Sequence, residues 1–394
     1  MKRCVSVLLT GILLLTLLSA TVCASTEDLE EKHYGDFTYT VANKEISIVN
    51  VSATVSGDVV IPASIEGYPV TSISDTAFDR CKQMVTLKIP SKVAAIGEGA
   101  FEECLALTAF IVGFGNKAFC AREGVLYNKD RTTLLCYPPA KENTEFSIPD
   151  GVTSVDMVAF EWSSKLERVT VADSVVKLGE RAFHGSTALK QITFGTGLTQ
   201  IGVQAFSGCV ALESFPIPNS VTSVGRAAFS NCSALQTVTF GRALTKIDGA
   251  MFANCTSLKS VAIPENVKSI LSSAFMGCSA LETVTLPSRL TSIGAYAFYK
   301  CDNLKTVDFT GSDTDKDKLT IGAKNETLDV AEWQYNATPA APSAGDTSVG
   351  PQPIAGPDSN VVRAWVLIGG LAALLTVAIV LLIAVLIKGI KART

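Results

Sequence analysis

Nine phenylalanines set the frame of this chain. Phe78, Phe101, Phe160, Phe183, Phe206, Phe229, Phe252, Phe275 and Phe298 follow one another at intervals of 23 residues, except for one interval of 59 between Phe101 and Phe160, which is one period plus 36. A unit of this length cannot bury an apolar face by itself. Repeated in register it buries that face against its neighbours, so the period predicts a solenoid with one shared interior.

The register inside a unit supports this. Counting from Phe275, apolar or small residues fall at Cys278, Leu281, Val284, Leu286, Leu290, Ile293 and Gly294. The same slots hold Leu212, Phe215 and Ile217 in one coil, Leu235, Val238 and Phe240 in the next, and Leu258, Val261 and Ile263 after that. The alternation at the end of this pattern predicts a half-buried strand, and strands of successive coils then form a parallel sheet with a spacing of about 4.8 Å. Pro90, Pro218, Pro264 and Pro287 close the strand, because proline lacks the N–H that a continuing ladder needs. The Ala-Phe-x-x-Cys segment reads as a single turn with its ring pointing inward, which predicts a spine of stacked aromatics.

Cys81, Cys104, Cys209, Cys232, Cys255, Cys278 and Cys301 share one slot that Ser163 and Ser186 fill in two other coils. A slot that accepts either residue asks for a small, weakly polar, buried side chain and predicts free thiols. Cys120 and Cys136, inside the long interval, are the better candidates for a disulfide. The sequence has no CxxC and no Cys/His cluster, so neither a metal nor a cofactor is expected.

The unit IPNSVTSVGRAAFSNCSALQTVTF, from Ile217 to Phe240, resembles the bacterial and protist surface proteins with BspA-like, or Treponema-type, leucine-rich repeats. The resemblance extends to an entry segment, DFTYTV with VVIPASIEGYPVTSI, to the insertion GVLYNKDRTTLLCYPPAK, and to an exit, LTIGAKNETL. It implies a β-rich α/β solenoid, a leucine-rich-repeat right-handed superhelix of about nine to ten coils of 23 residues with N- and C-terminal caps. It also implies adhesin-like binding of an extracellular protein or cell-surface ligand, such as host matrix proteins.

The segments outside the repeats are read as follows. Residues 1–24 have a basic start, an apolar run from Val5 to Leu18 and small residues at Val22 and Ala24, the pattern of a secretory signal peptide. Residues 25–33 form a polar leader, 34–76 an N-terminal cap with a hairpin and a first partial coil, and 77–310 the repeats, with an insertion at 113–147. Residues 311–336 are read as a C-terminal cap. Its stretch GSDTDKDK imitates the start of a calcium loop but has Lys318 and Lys324 where Gly and Glu are required. Residues 337–361 are a Pro/Ala/Gly linker. Residues 364–387 are 24 uncharged residues, long enough for a transmembrane helix, and 388–394 form a basic tail. Lys388, Lys391 and Arg393 on one side against Arg363 on the other place the tail in the cytoplasm, giving a single-pass type I plasma-membrane protein with an extracellular solenoid.

The charge distribution and motifs narrow the function. The chain's net −4 includes +2 from residues 1–24 and +4 from residues 361–394, which leaves −10 on the part between. An acidic solenoid is a poor partner for nucleic acid. No catalytic motif is present, and His33 and His184 are the only histidines, His184 standing at an exposed repeat position; the reading is therefore not of an enzyme. Outward positions seven residues past each Phe hold Glu167, Lys190, Glu213, Gln236, Lys259, Glu282 and Lys305, a ladder of mostly alternating charge. The insertion gathers Phe114, Phe119, Tyr127 and Tyr137. These aromatics and the charged ladder are the candidate binding residues. The other reading is a structural surface spacer or display protein without a dedicated ligand.

Overall fold

The structure, a computed structural model, describes residues 30–338. The expected signal peptide, the transmembrane helix, the tail, residues 25–29 of the leader and nearly all of the linker lie outside these residues. Among the described residues no helix is long and apolar enough to cross a membrane.

Each coil contributes to two columns of parallel strands. One column holds the longer strands, among them Arg168–Val171, Gln191–Phe194, Thr283–Leu286 and Thr306–Phe309, with Val169 opposite Ile192 and Val284 opposite Val307. The other holds two-residue strands such as Lys177–Leu178, Gln200–Ile201 and Ser223–Val224, again in register. One-coil register places every inward apolar residue on its counterpart, so a slip would turn the whole set outward. Gly202 lies where adjacent coils approach closely. A Cβ there would stand 2.4 Å from the Gly179 carbonyl oxygen, which is why the slot takes glycine.

The third side is the Ala-Phe corner. It is not helical: the residues two before and two after each Phe have left-handed backbone, as at Val158 (φ 51°) and Trp162 (φ 57°) around Phe160. These reversals turn the N–H of each Phe along the axis. Phe160 N–H donates to the Ala182 carbonyl at 2.6 Å, and Phe206 N–H to that of Ala228 at 2.8 Å. The rings from Phe160 to Phe298 stack with centroids 4.6–5.5 Å apart and planes within 13° of parallel. Each is fully buried, and such burial contributes roughly 1.5–3 kcal/mol per ring.

The cysteine slot satisfies a carbonyl. Cys232 Sγ donates to the Phe206 oxygen at 3.1 Å and Cys209 Sγ to that of Phe183 at 3.2 Å, while Ser186 Oγ makes the same bond to Phe160 at 2.7 Å. All nine cysteines among the described residues are free thiols, which corrects the expected Cys120–Cys136 pairing. Cys120 packs against the C-terminal core and Cys136 against the N-terminal one, so the two side chains face opposite ways.

The solenoid has about 13 turns, more than the nine to ten expected. Segments outside the 23-residue period add turns of their own. Ser56–Val60 pairs in parallel with Gln83–Ile89, Glu145–Ser147 with Arg168–Val171, and Glu332–Tyr335 with Thr306–Phe309. An antiparallel hairpin, Phe37–Ala42 with Glu45–Val51, closes the N-terminal end. The acidic stretch after the repeats contains a helical turn, Asp313–Lys316, started by a capping box between Ser312 and Asp315.

The insertion divides the interior into two cores. Its strands Phe119–Arg122, Val125–Asn128 and Thr133–Cys136 run antiparallel, and the last joins the short-strand column beside Ser154–Val155. Val125 and Tyr127 enter the C-terminal core while Leu126 enters the N-terminal core, so the middle strand is a wall buried on both faces. Tyr137, 23 residues before Phe160, takes the corner slot and stacks on Phe160 at 5.1 Å. Phe101 on the other side meets Phe110 edge-on at 4.9 Å, so the aromatic stack is interrupted here.

Candidate binding surface and the coil junction

The outward ladder stands as the repeat places it. Backbone bonds stack its members: Lys190 N–H to the Glu167 oxygen at 2.9 Å, Glu282 to Lys259 at 2.8 Å and Lys305 to Glu282 at 2.9 Å. Lys190 Nζ meets Glu167 at 3.1 Å and Lys305 Nζ meets Glu282 at 4.0 Å. Glu213 and Lys259 are kept apart by Gln236 and make no ion pair among the described residues. Exposed pairs of this kind contribute little to stability, and they leave a face of paired and single charges.

The four aromatics of the insertion separate. Phe119, Tyr127 and Tyr137 are 9%, 2% and 1% exposed, whereas Phe114 is fully exposed at 104%. The first three cannot touch a partner because the two cores need their rings, which corrects the expectation of a four-membered aromatic anchor. Phe114 follows the strand Ala109–Val112, where Ile111 is also exposed, so an apolar pair stands on the N-terminal part of the long-strand face.

The insertion also assembles a cluster absent from the sequence reading. Glu102 and Glu161 directly follow Phe101 and Phe160, and folding the intervening hairpin inward brings their coils together. Arg181 Nη2 bridges them, at 2.6 Å from Glu102 Oε1 and 2.5 Å from Glu161 Oε1. Glu161 is only 4% exposed, and burial pushes its carboxyl up to about 7 against the opposing pull of Arg181. Next to it His184 is half-buried, not exposed as expected, with its ring edge-on to Trp162 at 5.4 Å; burial and then Arg181 lower its pKa and favour the neutral imidazole.

Beside this bridge a cleft of about 50 Å³ opens between the two halves of the solenoid, lined by Glu98, Phe101, Cys136, Tyr137, Asp156 and Glu161 among others. Tyr137 Oη and Glu161 Oε2 are buried and have no hydrogen-bond partner among the described residues. Burial also raises the Asp156 carboxyl and pushes the Cys136 thiol up to about 12, so that thiol is not a nucleophile at neutral pH. The only sequence signal for the cluster was position: three charged residues standing beside repeat phenylalanines.

Parallel strand columns, an inward leucine register and a polar outer face define a leucine-rich-repeat solenoid. The repeat described as "BspA type Leucine rich repeat region" matches in six copies over residues 59–122, 136–259 and 199–319, and the chain belongs to that family. Three solved structures illustrate the likeness. One is a leucine rich cell surface protein from Faecalibacterium prausnitzii A2-165, 25% identical over 75% of this chain and 99% of that one, with a TM-score of 0.39. A leucine-rich repeat protein from Eubacterium ventriosum is 22% identical over 78% and 95%, with a TM-score of 0.44. The pneumococcal vaccine antigen PcpA is 15% identical over 75% and 99%, with a TM-score of 0.45. No curated protein matches.

Proposed function

We propose that this protein is a cell-surface binding scaffold whose extracellular solenoid engages a macromolecular ligand, an extracellular protein or cell-surface component such as a host matrix protein. The observation that carries this is Phe114, a fully exposed aromatic in the turn that follows the strand bearing exposed Ile111. Aromatic side chains on preorganised surfaces supply the dominant contacts of protein interfaces. The apolar segment 364–387 and the basic residues after it support tethering as a single-pass type I plasma-membrane protein with the solenoid outside. The proposed role is binding and not catalysis.

The test is binding of the intact protein to a panel of matrix proteins and cells, comparing wild type with Phe114→Ala. A loss of about 10-fold or more in affinity is expected, the order of effect seen for an aromatic interface anchor. Deleting residues 113–147 is unsuitable because it removes the wall between the two cores. If the wild type binds nothing in the panel, the spacer reading gains. The self-paired charges of the regular face, Lys190 with Glu167 and Lys305 with Glu282, already favour that reading for the strand ladder.

A further inference from the structure

We infer that a second copy of this chain is a partner of the Phe114 surface, the C-terminal end of one molecule seating on the N-terminal part of another's long-strand face. This rests on the binding role proposed above and names one protein that fits it. Phe114 and Val330, at 104% and 83%, are the two most exposed large apolar side chains among the described residues. Their surroundings carry opposite charge.

The surface around Phe114 is apolar and basic. Val60, Lys88 and Ile111 lie side by side across three parallel strands, and all three are exposed. The turn that carries Phe114 rests on the turn one coil before it: Gly113 N–H donates to the Ile89 oxygen at 2.8 Å, and Asn116 Nδ2 to those of Pro90 and Val93 at 3.1 and 2.9 Å. Lys92, in that earlier turn, and Lys117, three residues after Phe114, are both exposed. Lys88, Lys92 and Lys117 make no ion pair among the described residues. Residues 83–97 and 104–122 contain no acid. The one carboxylate on the three strands, Asp58, already accepts a hydrogen bond from Thr86 Oγ1 at 2.6 Å.

Val330 supplies the complement. It ends the helical turn Glu326–Val330 and precedes Glu332–Tyr335, the last strand of its column. Residues 325–336 contain Glu326, Asp329 and Glu332 and no base. Asp329 and Glu332 are exposed and make no ion pair among the described residues, whereas Lys324 reaches Glu326 at 3.9 Å and Lys305 turns to Glu282 at 4.0 Å. The strands from Glu145–Ser147 to Glu332–Tyr335 succeed one another at about 4.8 Å per coil, so the two surfaces stand roughly 40 Å apart along the column and pair only between molecules. An apolar contact rimmed by opposite charges gains affinity at its centre and orientation at its edge. Because two different surfaces meet, the contact is heterologous and leaves one of each free for further copies.

The experiment is sedimentation velocity of the full-length chain held at one copy per phosphatidylcholine nanodisc, which keeps the apolar segments 364–387 of different copies apart. Wild type is expected to self-associate with a dissociation constant on the order of 10 μM, weakened about 10-fold between about 0.05 M and about 0.5 M salt. Lys92→Glu/Lys117→Glu and Asp329→Lys/Glu332→Lys should each weaken self-association about 10-fold or more. All four positions are exposed, so both variants keep the fold. An equimolar mixture of the two variants should associate with wild-type affinity, because the native acidic end of the first meets the native basic surface of the second. The inference is overturned if wild type stays single, if both variants associate like wild type, or if the mixture does not associate. It is also overturned if wild-type copies stay single while phosphatidylserine vesicles retain wild type and not the lysine variant, which assigns the basic surface to a lipid. Because no matrix protein is present, the two readings fail separately. Panel binding without self-association refutes only the second-copy partner, and self-association without panel binding refutes only engagement of the panel's ligands.

Discussion

Glu161→Gln tests the electrostatics of the junction directly. The wild-type carboxyl moves from the usual 4.5 to about 7 on folding, because burial beside Glu102 outweighs its bond to Arg181. A carboxyl whose pKa is raised in the folded state favours folding while it is protonated, and this contribution is lost as pH rises from about 4.5 through about 7. The displacement corresponds to roughly 3 kcal/mol. Glutamine has the shape of the protonated acid, so the variant should match wild type near pH 4 and be more stable by about 3 kcal/mol at pH 8. Urea unfolding at several pH values, followed by fluorescence of Trp162 beside the cluster, measures this. Asp156 and Asp79 also rise on burial and tilt both proteins alike, so the difference between the curves isolates Glu161. Parallel wild-type and variant curves between pH 4 and 8 would refute the reasoning.

Three further outcomes follow from the coil. Phe229→Ala removes one ring from the middle of the stack and should cost roughly 3–5 kcal/mol in urea unfolding, whereas Phe114→Ala should leave stability within about 0.5 kcal/mol. Cys232→Ser keeps a donor for the Phe206 carbonyl and should cost less than about 1 kcal/mol, while Cys232→Val removes that bond, leaves the carbonyl only the Cys209 N–H at 3.2 Å, crowds a fully buried slot, and should cost about 1–3 kcal/mol. Gly202→Ala forces a Cβ against the Gly179 carbonyl and should lower stability by about 1–3 kcal/mol, read from the same urea transition.

The repeating part of the fold was legible because packing is periodic there. The interval between phenylalanines set the coil, and the alternation at Leu258, Val261 and Ile263 set the strand, with each prediction depending on contacts one coil away. Tyr137 shows where this reading stopped. Its distance from Phe160 equals one period, but it is a tyrosine inside an apparent insertion, and its ring was assigned to a partner instead of the stack. The corner backbone was hidden because its left-handed positions hold residues such as Val158, Arg181 and Tyr296, not the glycines that usually mark them. The Glu102–Arg181–Glu161 bridge was hidden for a different reason: Glu161 and Arg181 stand on adjacent coils, but Glu102 joins them only when the hairpin folds between the cores. Side-chain exposure at the ladder followed from the period, whereas the cleft arises from its one interruption.

That interruption governs how the molecule bears load. A solenoid passes force from ring to ring, and its resistance at each step is set by the contacts between adjacent rings. Between Phe101 and Tyr137 the aromatic column is broken, and continuity there falls to the hairpin, to links such as Phe110 N–H to the Gly124 oxygen at 2.9 Å and Ala140 N–H to that of Leu107 at 2.9 Å, and to the Arg181 bridge. Force crossing this seam along the solenoid axis therefore passes through those backbone links and one ion-pair bridge, whereas the six coil steps from Phe160 to Phe298 also share it through stacked rings.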